Sequence, residues 1–154
     1  MAENNLLPLI QEKIKSSMKE GDKLSTSTLR IAISEFKKEE IDKKIVLDDD
    51  IAIGILQRMI KQRKESASQF KKAGREDLEL KEESEIEILA TFLPDQLSEI
   101  ELKQIVADQI QVLEAGSIKD LGKLMSSLSE QLKGKADMSL VAKLAKETIL
   151  KEIN

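Results

Sequence analysis

The side chains of this sequence best placed to do chemistry are lysines near its C-terminal end. Lys119 and Lys123 bracket Asp120-Leu121-Gly122, and Lys133-Gly134-Lys135 follows soon after, so four ammonium groups lie close together in the chain. A lysine meets phosphate as a mobile point charge that neutralises it and releases condensed counterions. The chemistry on offer is anion binding, with Lys119 and Lys123 projecting beside the turn at residues 133–135 to make one small phosphate-facing patch. The competing reading is a loop between packed helices whose lysines are only solvated.

Charge distribution narrows the anion. Residues 117–154 hold seven lysines against five acids, whereas the preceding 116 residues hold eighteen basic groups against twenty-four acids, within a net charge of -4. Broad, nonspecific nucleic-acid affinity needs an excess of Lys and Arg, so any RNA contact is local. The tail has no aromatic residue, and the whole chain has only Phe36, Phe70 and Phe92. Base stacking is thus not offered there, and shape and phosphate contact remain, which suits a folded RNA.

The catalytic inventory is thin. With no His and no Cys, the commonest general base, the commonest nucleophile pairings and most transition-metal ligation are missing. No Gly-rich phosphate loop, Walker pattern or G-x-S-x-G turn occurs, and neither catalytic residues nor a cofactor is expected. Asp48-Asp49-Asp50 lacks the alternating spacing, central Gly and distal Glu of a calcium loop, so it is read as a helix cap and no metal is expected.

Arg63 is the other conspicuous charge. On a helical wheel it falls within the apolar stripe of Ala52, Leu56, Met59, Ile60, Ala67 and Phe70, where an unpaired guanidinium is very costly. Glu82 falls near the middle of the next helix's stripe, Glu85 at its edge, and Glu40 on the stripe of the helix before. The expectation is that Arg63 is tied to one or more of these carboxylates between packed helices, fixing their register; substrate binding is the other reading. From Arg58 to Arg75 there are seven basic groups and one acid, and from Glu76 to Glu101 ten acids and one lysine. Adjacent helices of opposite sign would attract, while Arg58, Lys61, Lys64, Lys71 and Lys72 could instead form a basic strip.

These side chains must be positioned by helices. Six glycines and two prolines interrupt long stretches of Glu, Lys, Leu and Ile, and the periodicity predicts about seven helices. The first spans roughly residues 5–20 and ends at Gly21; the second starts near Ser25-Thr26-Ser27-Thr28 and presents Leu29, Ala32, Ile33 and Phe36. The aspartate triplet opens a long third helix lasting to Ala73, and a fourth runs over residues 76–93 until Pro94 stops it. Ser98 and Glu101 then form a capping box, with Leu97 and Leu102 as its hydrophobic staple. Ser117 with Asp120 resembles a second box and starts a short helix whose stripe is Ile118, Leu121, Met125, Leu128 and Leu132. Gly122, at the stripe's edge, would let a neighbouring helix come close. Gly134 stops this helix, and Asp137 caps the last one.

Asp120-Leu121-Gly122-Lys123-Leu124-Met125 followed by Lys133-Gly134-Lys135-Ala136-Asp137 resembles the tail domain shared by the GatB component of the tRNA-dependent amidotransferases and the small free-standing YqeY proteins. Ile60-Lys61-Gln62-Arg63-Lys64-Glu65-Ser66, Phe70, Ala73-Gly74-Arg75-Glu76-Asp77-Leu78, Lys81-Glu82, Glu85-Ile86 and Leu93-Pro94-Asp95-Gln96-Leu97-Ser98 resemble the YqeY proteins rather than the catalytic part of GatB. Leu29-Arg30 and Glu40-Ile41 keep the same order, so the likeness covers nearly the whole chain. It departs at Phe92, where tyrosine is usual, at Ser126, often Gly, and at Met138, where Pro or Gly is common.

The resemblance implies a link to transfer RNA and to a carbon-nitrogen ligase family that uses glutamine as amido donor. Those enzymes need a glutaminase component with a serine and lysine centre and a large ATP-using domain. Neither is encoded here, so the activity is not expected of this chain alone. The fold expected is all-α, a four-helix bundle-like domain over residues 1–93 followed by a small three-helix tail domain over residues 94–154. The function expected is a noncatalytic tRNA-binding accessory, the alternative being a protein-interaction module whose apolar helix faces dock another protein without RNA. Residues 1–10 lack the basic start and long apolar core of a leader, no apolar run approaches the roughly 20 residues of a membrane span, and cysteine is absent. A reducing cytoplasm away from membranes is the expected setting.

Overall fold

The computed structural model describes residues 5–153, with side chains through residue 151, so the first four residues of the segment read against a leader lie outside it. The described residues are all-α. They comprise α1 (Leu6–Glu20), α2 (Lys23–Lys43), α3 (Asp49–Lys72), α4 (Glu76–Ala90), α5 (Glu99–Leu113), a 3-10 turn (Ile118–Asp120), α6 (Leu121–Gln131) and α7 (Met138–Ile153). Contacts divide the chain into two compact units, Met1–Leu93 and Pro94–Asn154.

In the first unit, α1 to α4 share one core in which Ile10, Leu29, Phe36, Leu56, Met59 and Leu89 are fully buried. α3 and α4 form the most extensive pairing, folded back on each other through Gly74, whose φ of 73° is left-handed and costs glycine no Cβ clash. Two members of the aspartate triplet, Asp48 and Asp49, cap helix starts. The Ile51 N–H donates to Asp48 Oδ1 at 2.8 Å, closing the start of α3. Asp49 turns to another helix and accepts from the N–H groups of Asn5 and Leu6, at 3.2 and 3.1 Å, at the start of α1. One acidic run thus satisfies open amides at two helix starts.

Two boundaries differ from the sequence reading. α2 begins at Lys23, ahead of the Ser25 to Thr28 cluster, because Asp22 is the stronger cap: its carboxylate accepts from the Ser25 N–H at 3.1 Å and the Ser25 hydroxyl at 2.7 Å. Ser25, Thr26 and Thr28 therefore lie inside the helix and are buried. α4 ends at Ala90, and the chain tightens through Phe92 N–H to Leu89 C=O (3.2 Å) and Leu93 N–H to Ala90 C=O (3.1 Å), since Pro94 disfavours helical geometry at Leu93. Among the leucines and isoleucine of residues 78–93 that face α3 on a helical wheel, Leu89 is fully buried, while Leu78, Ile86 and Leu93 are half-buried.

The Asp22 cap carries a pH signature. Its hydrogen bonds from the Ser25 side chain, and then from the Ser25 backbone, hold the carboxyl below its ordinary value of 3.8. A depressed folded value means that its stabilisation is present above the ordinary value and is lost as pH falls through the folded one. Asp22→Asn is expected to be less stable than the parent near neutral pH, with the gap closing as acid unfolding is followed below about pH 4. A gap that stays constant into acid would show that the carboxylate charge contributes nothing at this cap.

The second unit packs α5, α6 and α7 around Leu102, Val106, Leu124, Leu128, Val141 and Ile149. Ser98 caps α5 in a complete capping box with Glu101, and Leu97 and Leu102 both join this core. The apolar stripe of α6 is centred on Leu124, Leu128 and Leu132, all at most 1% exposed, whereas Ile118 is 43% exposed. Leu124, absent from the predicted stripe, lies four and eight residues before Leu128 and Leu132 and so shares their face of the helix, while the tighter 3-10 turn at residues 118–120 takes Ile118 out of phase with it. At Gly122 an added Cβ would meet nothing within 4 Å, so the expected close approach of a neighbouring helix does not occur there.

Candidate functional site

The four lysines singled out in the sequence sit at the two ends of α6. Lys119 lies on the 3-10 turn and Lys123 in the first turn of α6, both exposed. The start is held by Asp120, whose Oδ2 accepts the N–H groups of Gly116 and Ser117 at 3.1 and 3.2 Å. Lys133 and Lys135 follow Leu132 at the other end, also exposed, on either side of Gly134, whose φ is 75°. Asp137 caps α7, its Oδ1 accepting from the Ser139 N–H at 3.0 Å.

One patch is not what results. From Lys123 to Lys133 the chain climbs most of α6, and a rise of 1.5 Å per residue separates them by about 15 Å along the axis. Lys119 and Lys123 therefore do not project beside the turn at residues 133–135. Two pairs of exposed lysines stand at opposite ends of one helix.

The second pair stands on a braced turn. The Gln96 side-chain amide donates through Nε2 to the Gly134 carbonyl at 2.7 Å and to the Pro94 carbonyl at 2.9 Å. The Leu97 N–H donates to the Lys135 carbonyl at 3.0 Å. The Pro94-Asp95-Gln96-Leu97-Ser98 segment thus clasps the Lys133-Gly134-Lys135 turn, with Gly134 itself buried. With its carbonyls drawn inward, the turn leaves its lysine side chains at the surface. Gln96→Ala is expected to destabilise the C-terminal unit by about 1–2 kcal/mol, because a largely buried carbonyl loses its donor. Chemical denaturation followed by amide hydrogen exchange at residues 134–137 checks this, and unchanged exchange there would remove Gln96 as the brace.

The ion-pair residues lie in the first unit. Arg63 Nε donates to Glu85 Oε2 at 3.1 Å, with side-chain exposures of 14% and 12%, and Nη1 donates to the Met59 carbonyl at 3.2 Å. Glu82 is half-buried on the same helix as Glu85 and is not the carboxylate that Arg63 meets. Glu40 is employed elsewhere: its Oε2 accepts the Leu47 N–H at 3.3 Å, closing the connection that follows the left-handed Lys44. Arg58, counted in the candidate basic strip, is turned to α2, where it meets Glu35 at 3.6 Å and Glu39 at 3.9 Å. Glu39 lies below the ordinary carboxylate range because it bonds Lys43 and also feels Arg58.

Among the described residues no group of three or more His, Cys, Asp or Glu side chains could hold a metal ion. Among them, too, no helix is long and apolar enough to cross a membrane. What the arrangement offers chemically is solvent-facing cationic turns on a packed helical unit.

The family described as Yqey-like protein matches residues 8–149. A protein of Schizosaccharomyces pombe, named only as uncharacterized, is 41% identical over 96 residues, covering 62% of this chain and 78% of that one. The protein named Altered inheritance of mitochondria protein 41, mitochondrial, from Pyrenophora tritici-repentis is 27% identical over 150 residues, 96% of this chain and 82% of that one. Its namesake from Vanderwaltozyma polyspora is 38% identical over 85 residues, 54% of this chain and 46% of that one.

Proposed function

The chain belongs to the Yqey-like protein family, and from that premise we propose that it is a noncatalytic accessory protein whose C-terminal unit binds a folded RNA, transfer RNA being the class suggested by the likeness to the amidotransferase tail domain. The observation that carries the reading is the pair of cationic turns, Lys119 with Lys123 and Lys133 with Lys135, held at opposite ends of α6. Two lysine pairs whose backbone positions lie about 15 Å apart along the helix suit the repeated phosphates of a folded polynucleotide better than one small anion. A tail without aromatic residues limits recognition to shape and backbone contact.

In this reading the chain adapts or delivers the RNA and leaves amide transfer to other proteins, since His and Cys are absent. Its setting is the cytoplasm; the named relatives are mitochondrial proteins, and a tRNA-binding accessory could serve in either compartment. The test is binding of folded tRNA to the full chain at low and at physiological salt, repeated with all four lysines replaced by alanine. Affinity unchanged in that variant would remove the turns from the site. Absence of tRNA binding together with a stable protein complex would favour the second reading, a helical protein-interaction module.

A further inference from the structure

A groove runs along the outward face of the α1 and α2 hairpin in the N-terminal unit. α1 lends it Ile14, Lys15 and Met18, and α2 lends it Arg30, Ile31 and Ile33, in two adjoining stretches of ≈ 620 and ≈ 520 Å³ that share Arg30. Its apolar groups are not withdrawn: Met18 is 55% exposed and Ile31 44%. Its cations are uncommitted. Arg30 donates to Met18 Sδ at 3.4 Å, a weak acceptor, and neither Arg30 nor Lys15 forms an ion pair among the described residues.

The acids of α2 nearest the lining in sequence, and that of its cap, are engaged, and the exposed Glu12 and Glu20 of α1 lie outside the lining. Glu35 and Glu39 of α2 are held by Arg58 and Lys43, and Asp22 at the rim is bound to Ser25. Lys23 and Lys37, each seven residues from Arg30 and both exposed, extend the same helix face. The result is an apolar strip of Ile14, Met18, Ile31 and Ile33, set among small polar side chains and flanked by cations.

We propose that this groove seats an amphipathic helix of a partner protein, with carboxylates flanking its apolar stripe. Both walls are helices whose backbone groups are bonded internally, so an extended peptide would find no edge to pair with, and recognition must run through side chains. The opposite charge is supplied by the occupant. The lined face of α2 from Lys23 to Ser34 is roughly 16 Å long, which accommodates about three turns of helix. RNA fits this face less well, because none of Phe36, Phe70 and Phe92 lines the groove to stack a base and its exposed Met18 and Ile31 would gain nothing from a phosphate backbone. This surface is separate from the cationic turns of α6 and does not depend on them.

The experiment uses the full chain, isotopically labelled for NMR. The probe is a synthetic helix-forming peptide with leucines at i, i+3, i+4 and i+7 and glutamates on both flanks, compared with the same peptide carrying lysines in place of the glutamates. The glutamate peptide is expected to shift resonances of Ile14, Met18, Arg30 and Ile31, and Arg30→Glu combined with Met18→Glu to weaken it about tenfold or more. Both side chains are exposed, so an unchanged unfolding midpoint verifies that the variant is folded. Equal binding of the two peptides, shifts confined to other surfaces, or no shift at millimolar peptide would overturn the inference. So would tRNA perturbing this face, or self-association abolished by the same two substitutions, which would seat a second copy here. The variant's tRNA affinity, measured in parallel, reports on the C-terminal reading separately.

Discussion

Replacing Arg63 with methionine while Glu85 remains is expected to cost the N-terminal unit about 2–3 kcal/mol, a large part of a small domain's stability. The pair is mostly buried, at 14% and 12% exposure, so Glu85 would be left with neither a full water shell nor its guanidinium. Removing one partner of a fully buried pair costs about 3–5 kcal/mol, and the residual exposure here lowers the figure. Glu85→Ala should cost less, because Arg63 keeps the Met59 carbonyl, at 3.2 Å, through Nη1. The decisive variant is Arg63→Met with Glu85→Leu. Two apolar side chains of similar volume should restore most of the loss, since the benefit of a buried pair over a hydrophobic replacement is near zero or negative. Denaturant unfolding read by amide exchange in α3 and α4 measures all three, with the shift expected in midpoint and not in slope. If each single variant loses less than about 0.5 kcal/mol, the pair contributes no more than a surface ion pair.

That a carboxylate would meet Arg63 was legible, because a guanidinium within an apolar stripe demands one. Which carboxylate was not, since a helical wheel gives the angle of a side chain and discards its height. The missing coordinate was nevertheless in the sequence: α3 and α4 fold back through Gly74, and Arg63 and Glu85 each lie 11 residues from it. Glu82, better centred on the wheel, stands opposite Ser66 by the same count. Glu40 bonds the Leu47 amide because Lys44 takes a left-handed conformation, which nothing in its residue type announces. The start of α2 departs from its sequence reading for a related reason: Ser25 and Thr26 are good caps in isolation, but Asp22 stands three positions earlier and captures Ser25 itself. The hydrogen bonds from Gln96 and Leu97 to the turn at residues 133–135 cross 38 residues and depend on the packing of α5 against α7, which no local pattern encodes.

Replacing Lys119, Lys123, Lys133 and Lys135 together should all but remove the salt dependence of tRNA binding, the largest change expected of any variant. Four phosphate contacts correspond to a slope of about -3 in log K against log salt, or a loss of about a hundredfold in affinity between 50 and 200 mM salt. The geometry of α6 adds a finer expectation. A single patch would make the lysines interdependent, because closely spaced ammonium groups share one phosphate and repel one another. Pairs rooted about 15 Å apart along one helix, against a screening length of about 8 Å at physiological salt, are expected to act independently. The variants lacking Lys119 and Lys123, or Lys133 and Lys135, should each reduce the slope by about half, and their losses in binding free energy should add to that of the quadruple variant. If one pair carries the whole slope, the RNA touches one end of α6 alone. If neither does, the C-terminal lysines are solvated charges, and the cationic groove of α1 and α2 becomes the surface of this chain with the stronger claim to a partner.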